Sequence, residues 1–259
     1  MGDASGSTDL PVATEWLIDM LGQQDIGIAN SCYMVVCPST STKGSSFALD
    51  SGIVVTNEHV IRGEDPARIM LIGASGEPHG VTDVVTDDRR DLAFLVPAER
   101  DDGGMSLNTA DIKVGASVRT WGFPLGYNGP APLLIQGTVA GFNVMAERGG
   151  LRRVVVNAAF NGGNSGGPLL LAGETSVVGV VTATHAPISE FHLSALAALK
   201  NARSGLQFTA SDGSGNTRTF SEAQVVGEML EYFRSLTQVV IGEAIHASEV
   251  EASLQEKGL

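Results

Sequence analysis

The chain reads as a mostly-β fold assembled from many short strands, with a short helix near its start and a helical segment near its end. Three observations predict this. Apolar runs of about four to eight residues recur along the chain, bounded by Gly, Pro, Asn, Asp and Ser clusters, the pattern of strands joined by turns. The 259 residues include 32 glycines, the residue that turns use for backbone freedom. Aromatics make up 5% against 43% hydrophobic residues, so the core is aliphatic. Evenly spaced short strands of this kind suit β-barrels.

In chain order, Trp16, Leu17, Met20 and Leu21 share one face of a short amphipathic helix over residues 11–22, with Pro11 suited to its start and Gly22 to its end. Six strands are expected next, at Cys32–Cys37, Ser46–Leu49, Gly52–Thr56, Arg68–Ile72, Val81–Val85 and Leu92–Val96. Pro97 to Gly104 reads as a connector. A second set follows at Ser117–Trp121, Ile135–Phe142, Arg153–Ala159, Pro168–Leu171, Val177–Ala183 and Leu206–Thr209, with Gly149-Gly150 as a hairpin turn. Residues Glu190 to Ala202 interrupt the β pattern, and His192, Leu193, Leu196, Leu199 and Lys200 point to a short helix there. From Ser221 to about His246 the apolar residues Val226, Met229, Leu230, Phe233, Leu236, Val240 and Ala244 recur at helical spacing. Ser221 is a candidate cap for this segment, with Glu222 favoured by the positive helix end. Four regions result: a lead and helix over 1–27, strand-rich regions over 28–104 and 105–215, and a helical segment over 216–259.

Composition excludes several classes. A net charge of -13 argues against nucleic acid, which prefers basic faces. Runs of about 18 apolar residues are absent, so no membrane span is expected. The first residues, Met1-Gly2-Asp3-Ala4-Ser5-Gly6, lack the basic and apolar regions of a signal peptide. Cys32 and Cys37 fall at an odd offset on one strand, which points them to opposite faces, too far apart to bridge. Both read as ordinary thiols, and the expected compartment is reducing and cytoplasmic, or periplasmic or secreted if a signal was removed. The histidines His79, His185, His192 and His246 have no metal-ligand spacing, so no metal or other cofactor is expected.

The most informative stretch is Phe160-Asn161-Gly162-Gly163-Asn164-Ser165-Gly166-Gly167-Pro168. A serine on a glycine-rich turn can expose its hydroxyl and align nearby amides on one point, as acyl transfer requires. Such a serine needs a base, and the base needs an orienting acid. Thr56-Asn57-Glu58-His59-Val60 follows an apolar strand and offers His59. Asp88-Arg89-Arg90-Asp91-Leu92-Ala93 opens another and offers Asp91. By residue type alone Asp87 and Asp88 compete with Asp91. The order His59, Asp91, Ser165 has steps of 32 and 74 residues.

With these three segments the chain resembles the trypsin-like serine peptidases, and most closely the bacterial HtrA/Deg-type branch, over residues 28 to about 210. The resemblance implies two six-stranded antiparallel β-barrels, with His59 and Asp91 on the first and Ser165 on the second. It implies a serine endopeptidase acting on protein or peptide substrates through an acyl-enzyme. Ser165 would be the nucleophile, His59 the base, Asp91 the orienting acid, and the amides of Gly163 and Ser165 the oxyanion hole. Thr182 falls where the family keeps a hydroxyl beside the acid. The specificity pocket would have Ala159 as its floor and Ala183 and Thr184 as walls, which implies cleavage after small to medium apolar residues. Gly122-Phe123-Pro124-Leu125-Gly126 resembles a family loop near that pocket.

The chain departs from the family in three ways. Val60 follows His59 where secreted animal enzymes place a disulfide. Asn164 stands where zymogens keep an aspartate for a new N-terminal amine, which implies no activation by N-terminal cleavage. No PDZ-like pattern follows the catalytic region. Self-association through the terminal helices is a further expectation. Two rival readings are a catalytically silent module on the same fold and an α/β-hydrolase esterase, which would need alternating helices and a histidine after the serine.

Overall fold

The computed structural model describes residues 22–74, 76–99, 103–127, 129, 131–182, 190–211, 217–236 and 241–259. The chain divides into two compact units, one of residues 1–184 with 240–259 and the other of 185–239. The helix expected over residues 11–22 lies outside the described residues except for Gly22. That glycine is the N-cap of α1 (Gln23–Asn30), an element the sequence pattern does not reveal.

In the larger unit, six strands close a first barrel in the order β1-β2-β3-β6-β5-β4. They are β1 (Cys32–Cys37), β2 (Thr42–Ala48), β3 (Val54–Thr56), β4 (Met70–Ile72), β5 (Pro78–Asp87) and β6 (Leu92–Pro97). One helical turn, α2 (Glu58–Ile61), follows β3. The strand expected from Arg68 starts later, because Pro66–Arg68 is a 3-10 turn whose Asp65 side chain accepts from the Ala67 amide. All pairings in this barrel are antiparallel, and closure leaves no open sheet edge.

Strand alternation sorts the core. On β6, Ala93 and Leu95 join Val35, Cys37, Val54 and Leu71 inside the first barrel, while Leu92 and Phe94 join a cluster shared with the second barrel. Cys32 lies in the shared cluster and Cys37 inside the barrel, and both are free and buried. Burial pushes the Cys32 thiol well up. Burial, with Glu64 adding to it, pushes Cys37 up to about 11, so both are poor thiolates.

The second barrel begins with β7 (Ser117–Gly122), β8 (Leu133–Met145), β9 (Leu151–Asn157), β10 (Pro168–Leu171) and β11 (Val177–Thr182). Gly149 and Gly150 both adopt positive φ, 75° and 80°, in the turn between β8 and β9. The sixth strand corrects the sequence reading. Leu206–Thr209 was expected to supply it, but β12 (Gln207–Ser211) pairs with β13 (Thr217–Ser221) as a separate hairpin. The barrel closes through β14 (Gly242–His246), which inserts between β9 and β11.

That strand lies inside the stretch expected to stay helical to about His246. The helix α4 (Glu222–Leu236) ends earlier. Leu236, Val240 and Ala244 continue its 3–4 spacing by coincidence, but Ala244 points into the barrel among Val154, Val156 and Val181. Gly242 has a packing reason: a Cβ there would lie 2.2 Å from Cδ2 of Phe160.

The smaller unit contains α3 (Glu190–Asn201), the β12–β13 hairpin and α4. Helix α3 lies where the break in β pattern placed one. Ser221 starts α4 with a capping box: its Oγ accepts from the Gln224 amide at 3.2 Å and its amide donates to Gln224 Oε1 at 2.9 Å. On α4, Val226, Met229, Leu230 and Phe233 are all exposed. In the larger unit, α5 (Ala247–Lys257) is capped by His246 and buries Val250 in the cluster shared by the two barrels. Among the described residues no helix is long and apolar enough to cross a membrane.

Candidate active site

His59 sits on α2, immediately after β3. Asn57 leaves the strand in extended conformation and turns its side chain to the Asp91 carbonyl, which accepts from Nδ2 at 2.9 Å. Asp91 ends the β5–β6 turn with φ 60°, a left-handed conformation that aspartate tolerates better than most residues. The His59 amide donates to Asp91 Oδ1 at 3.0 Å. The imidazole Nδ1 lies 3.0 Å from Oδ1 and 2.9 Å from Oδ2. An ionised carboxylate only accepts, so Nδ1 carries a proton, and in the neutral form of such a ring the lone pair lies at Nε2.

Asp91 is the acid that meets His59. Asp87 is engaged by Arg90 and Ser253 instead, and Asp88 is exposed. Burial pushes the Asp91 carboxyl up, but the His59 contacts outweigh it, aided by the nearby Arg153 charge, and hold Asp91 below the usual carboxylate range. Thr182 on β11 donates to Asp91 Oδ2 at 3.4 Å.

Ser165 lies in the turn entering β10, only 4% exposed. Gly163 and Gly166 flank it with φ 89° and 88°, values that favour glycine. Both are also crowded. A Cβ on Gly166 would lie 2.1 Å from the Ser45 carbonyl, and one on Gly163 would lie 2.5 Å from the Phe123 carbonyl. The Ser165 turn meets Asp91 through one strand: the Gly166 amide donates to the Val181 carbonyl at 2.8 Å, and the next residue is Thr182. It meets the histidine segment at Gly44, where a Cβ would touch both Val60 Cγ1 at 2.6 Å and the Ser165 carbonyl at 3.3 Å.

The Leu125 amide donates to the Gly162 carbonyl at 2.7 Å. In a trans peptide this turns the Gly163 amide to the opposite side, away from Leu125. Thus the Gly122–Gly126 loop packs directly on the Ser165 turn. Of the expected pocket residues, Ala159 is half-buried between β9 and that turn. Ala183 and Thr184 lie outside the described residues. Phe160 is buried against Gly242. Asn164 is fully buried, and neither Oδ1 nor Nδ2 has a hydrogen-bond partner among the described residues.

Two residues here have no motif to announce them. Ser45 on β2 is fully buried and bonds across to the Ser165 turn. Arg153 on β9 is buried, and its charge reaches Asp91. Their partners are remote in sequence, so spacing alone could not find them.

Two closed antiparallel barrels, with a part-buried His–Asp contact on one and a glycine-set serine on the other, define the trypsin-like class. Residues 44–180, more than half of the chain, match the trypsin-like peptidase domain, and the chain belongs to that family. Among curated relatives, it is 33% identical over 156 residues to the chloroplastic Protease Do-like 1 of Arabidopsis thaliana, covering 56% of this chain and 34% of that protein. It is 30% identical over 153 residues to a probable periplasmic DegP-like serine endoprotease of Chlamydia pneumoniae, covering 55% and 29%. The chain thus spans about a third of the length of these relatives. Among solved structures, the inactive form of the Rv3671c protease aligns with a TM-score of 0.60 at 17% identity, over 94% of this chain and 95% of that one. That last likeness is one of fold.

Proposed function

We propose that this chain is a serine endopeptidase that cleaves protein or peptide substrates through an acyl-enzyme. The observation that supports this most is the His59–Asp91 contact beside the glycine-set turn of Ser165. Ser165 Oγ attacks the scissile carbonyl carbon while His59 Nε2 takes its proton. Asp91 holds the imidazole tautomer and stabilises the cation. The amides of Gly163 and Ser165 receive the oxyanion. Collapse of the tetrahedral intermediate breaks the C–N bond, and the leaving amine takes the proton from His59. Water, deprotonated in turn by His59, then releases the acyl group and restores Ser165.

A fluorophosphonate probe tests this reading. Wild type should be labelled and Ser165→Ala should not. Faster hydrolysis of casein than of short esters then identifies a peptidase; labelling that survives Ser165→Ala would defeat the assignment.

Ala159, with Ala183 and Thr184, is the proposed specificity pocket and brings no acid to neutralise an Arg or Lys side chain. Small to medium apolar residues such as Ala, Val or Leu are expected before the cleaved bond. Discrimination among them should be modest, about 1–3 kcal/mol per methylene. Peptide-library profiling checks this, and strict cleavage after Arg would overturn it. Self-association remains part of the proposal, supported by the exposed Val226, Met229, Leu230 and Phe233. A monomeric mass at micromolar concentration would remove it.

A further inference from the structure

We infer that Ser45 positions the oxyanion-binding amide of Gly163. This rests on the peptidase reading above and adds a residue to it. Ser45 lies on β2 of the first barrel, yet both its amide and its hydroxyl donate to the turn that carries Ser165. Its amide donates to the Ser165 carbonyl at 2.8 Å. Its hydroxyl donates to the Gly163 carbonyl at 2.6 Å and accepts from the Phe123 amide at 2.8 Å. Its own carbonyl accepts from Thr56 Oγ1 at 2.7 Å, which anchors it to the strand leading to His59.

The hydroxyl therefore controls Gly163 from both sides. Directly, it fixes the carbonyl that follows the Gly163 Cα. Through Phe123 it fixes the loop whose Leu125 amide holds the Gly162 carbonyl at 2.7 Å, and that peptide sets the direction of the Gly163 amide. Control is needed because glycine has no side chain to hold it at φ 89°; it crosses between backbone regions more readily than any other residue. The space is built for this hydroxyl. A Cβ on Gly122 would come within 2.8 Å of Ser45 Oγ.

Ser45 touches neither substrate nor reacting atoms in this account, so it is a positioning residue. Loss of its hydroxyl leaves the Gly163 carbonyl and the Phe123 amide buried without their partner, and the peptides are free to turn. An oxyanion-hole donor is worth about 10²–10³ in rate. A donor that is present but misdirected part of the time should cost about 10–100-fold.

The test compares wild type, Ser45→Ala and Ser165→Ala in their rate of fluorophosphonate labelling, which also builds negative charge on an oxygen beside Ser165. Ser45→Ala should label about 10–100-fold more slowly. On a peptide substrate kcat should fall by a similar factor with KM within about twofold, the mark of an interaction made only in the transition state. A peptide aldehyde, which forms a tetrahedral adduct, should bind more weakly by that factor. An uncleaved peptide should bind Ser45→Ala/Ser165→Ala and Ser165→Ala equally. Ser45→Cys, nearly isosteric with a weaker donor, carries the same comparison if the alanine variant does not fold, with a several-fold loss expected. Labelling of a folded Ser45 variant at the wild-type rate, or loss confined to KM, would overturn the role of Ser45 alone. Absence of labelling in wild type would instead remove the peptidase reading and this inference with it.

Discussion

Asp91→Asn is expected to lower kcat by about 10⁴-fold near neutral pH, with little change in KM or in thermal stability. The size follows from the contacts of Asp91. Its carboxylate accepts from His59 Nδ1 and from the His59 amide. An asparagine can keep the amide contact through its remaining oxygen, so the α2 turn should hold. Its NH₂ group, however, favours a ring whose Nδ1 carries the lone pair and whose Nε2 carries the proton. That tautomer cannot accept the Ser165 proton. The imidazolium formed during attack would also lose its counter-ion. Asparagine tolerates the left-handed φ of 60° as well as aspartate does, so backbone strain should not enlarge the effect. Steady-state kinetics with a thermal melt check the claim. A loss below about tenfold would mean that another group orients His59. If the residues act as one unit, as proposed, the double variant Asp91→Asn/Ser165→Ala should be no slower than Ser165→Ala.

The segments around His59, Asp91 and Ser165 are legible in the sequence because each is local: a strand end, a turn and a glycine run. Strand alternation exposes most of both barrels for the same reason. The misreadings share a physical cause. β14 escapes because residues 236, 240 and 244 extend the α4 spacing, while the need for strand comes from β9 and β11, far away in the chain. The hydroxyl of Ser45 acts on a carbonyl 118 residues away, and no periodicity encodes such a pair. α1 escapes because Gly27 and a mixed polar surface give it little amphipathic pattern.

The second large effect is expected at Arg90, beside Asp91. Its guanidinium donates to Asp87 Oδ2 at 2.7 Å, to both Glu256 oxygens at 2.7 Å, and to Glu249 at 3.2 Å. Ser253 adds a bond to Asp87 Oδ2 at 2.7 Å. This network fastens α5, which follows the last strand of the second barrel, to the β5–β6 turn of the first. The side chains of Arg90 and Asp87 are only 4% and 7% exposed. Removing one partner of a buried pair leaves an uncompensated charge and typically costs about 3–5 kcal/mol. Arg90→Met should therefore destabilise by about 3 kcal/mol, or about 6–12 °C in Tm for a chain of this size. Arg90→Lys should recover only part, since an ammonium cannot reproduce the planar fork that meets three carboxylates.

The pH dependence identifies the source of this stability. Burial pushes the Asp87 carboxyl up, but the bonds from Ser253 and Arg90 outweigh it and leave it below the ordinary range. A carboxyl depressed in the folded state stabilises fully above its unfolded value, about 3.9, and loses that contribution as pH falls through its folded value. The gap between wild type and Arg90→Met should thus be full at pH 7 and narrow below about pH 4. Urea unfolding at about pH 7 and pH 3 measures both gaps. An equal gap at the two would assign the loss to packing of the Arg90 stem. Because Arg90→Met spares the His59–Asp91 contact, kcat at temperatures well below its Tm should fall far less than in Asp91→Asn. An equally large loss would show that the turn holding Asp91 depends on α5 for its shape.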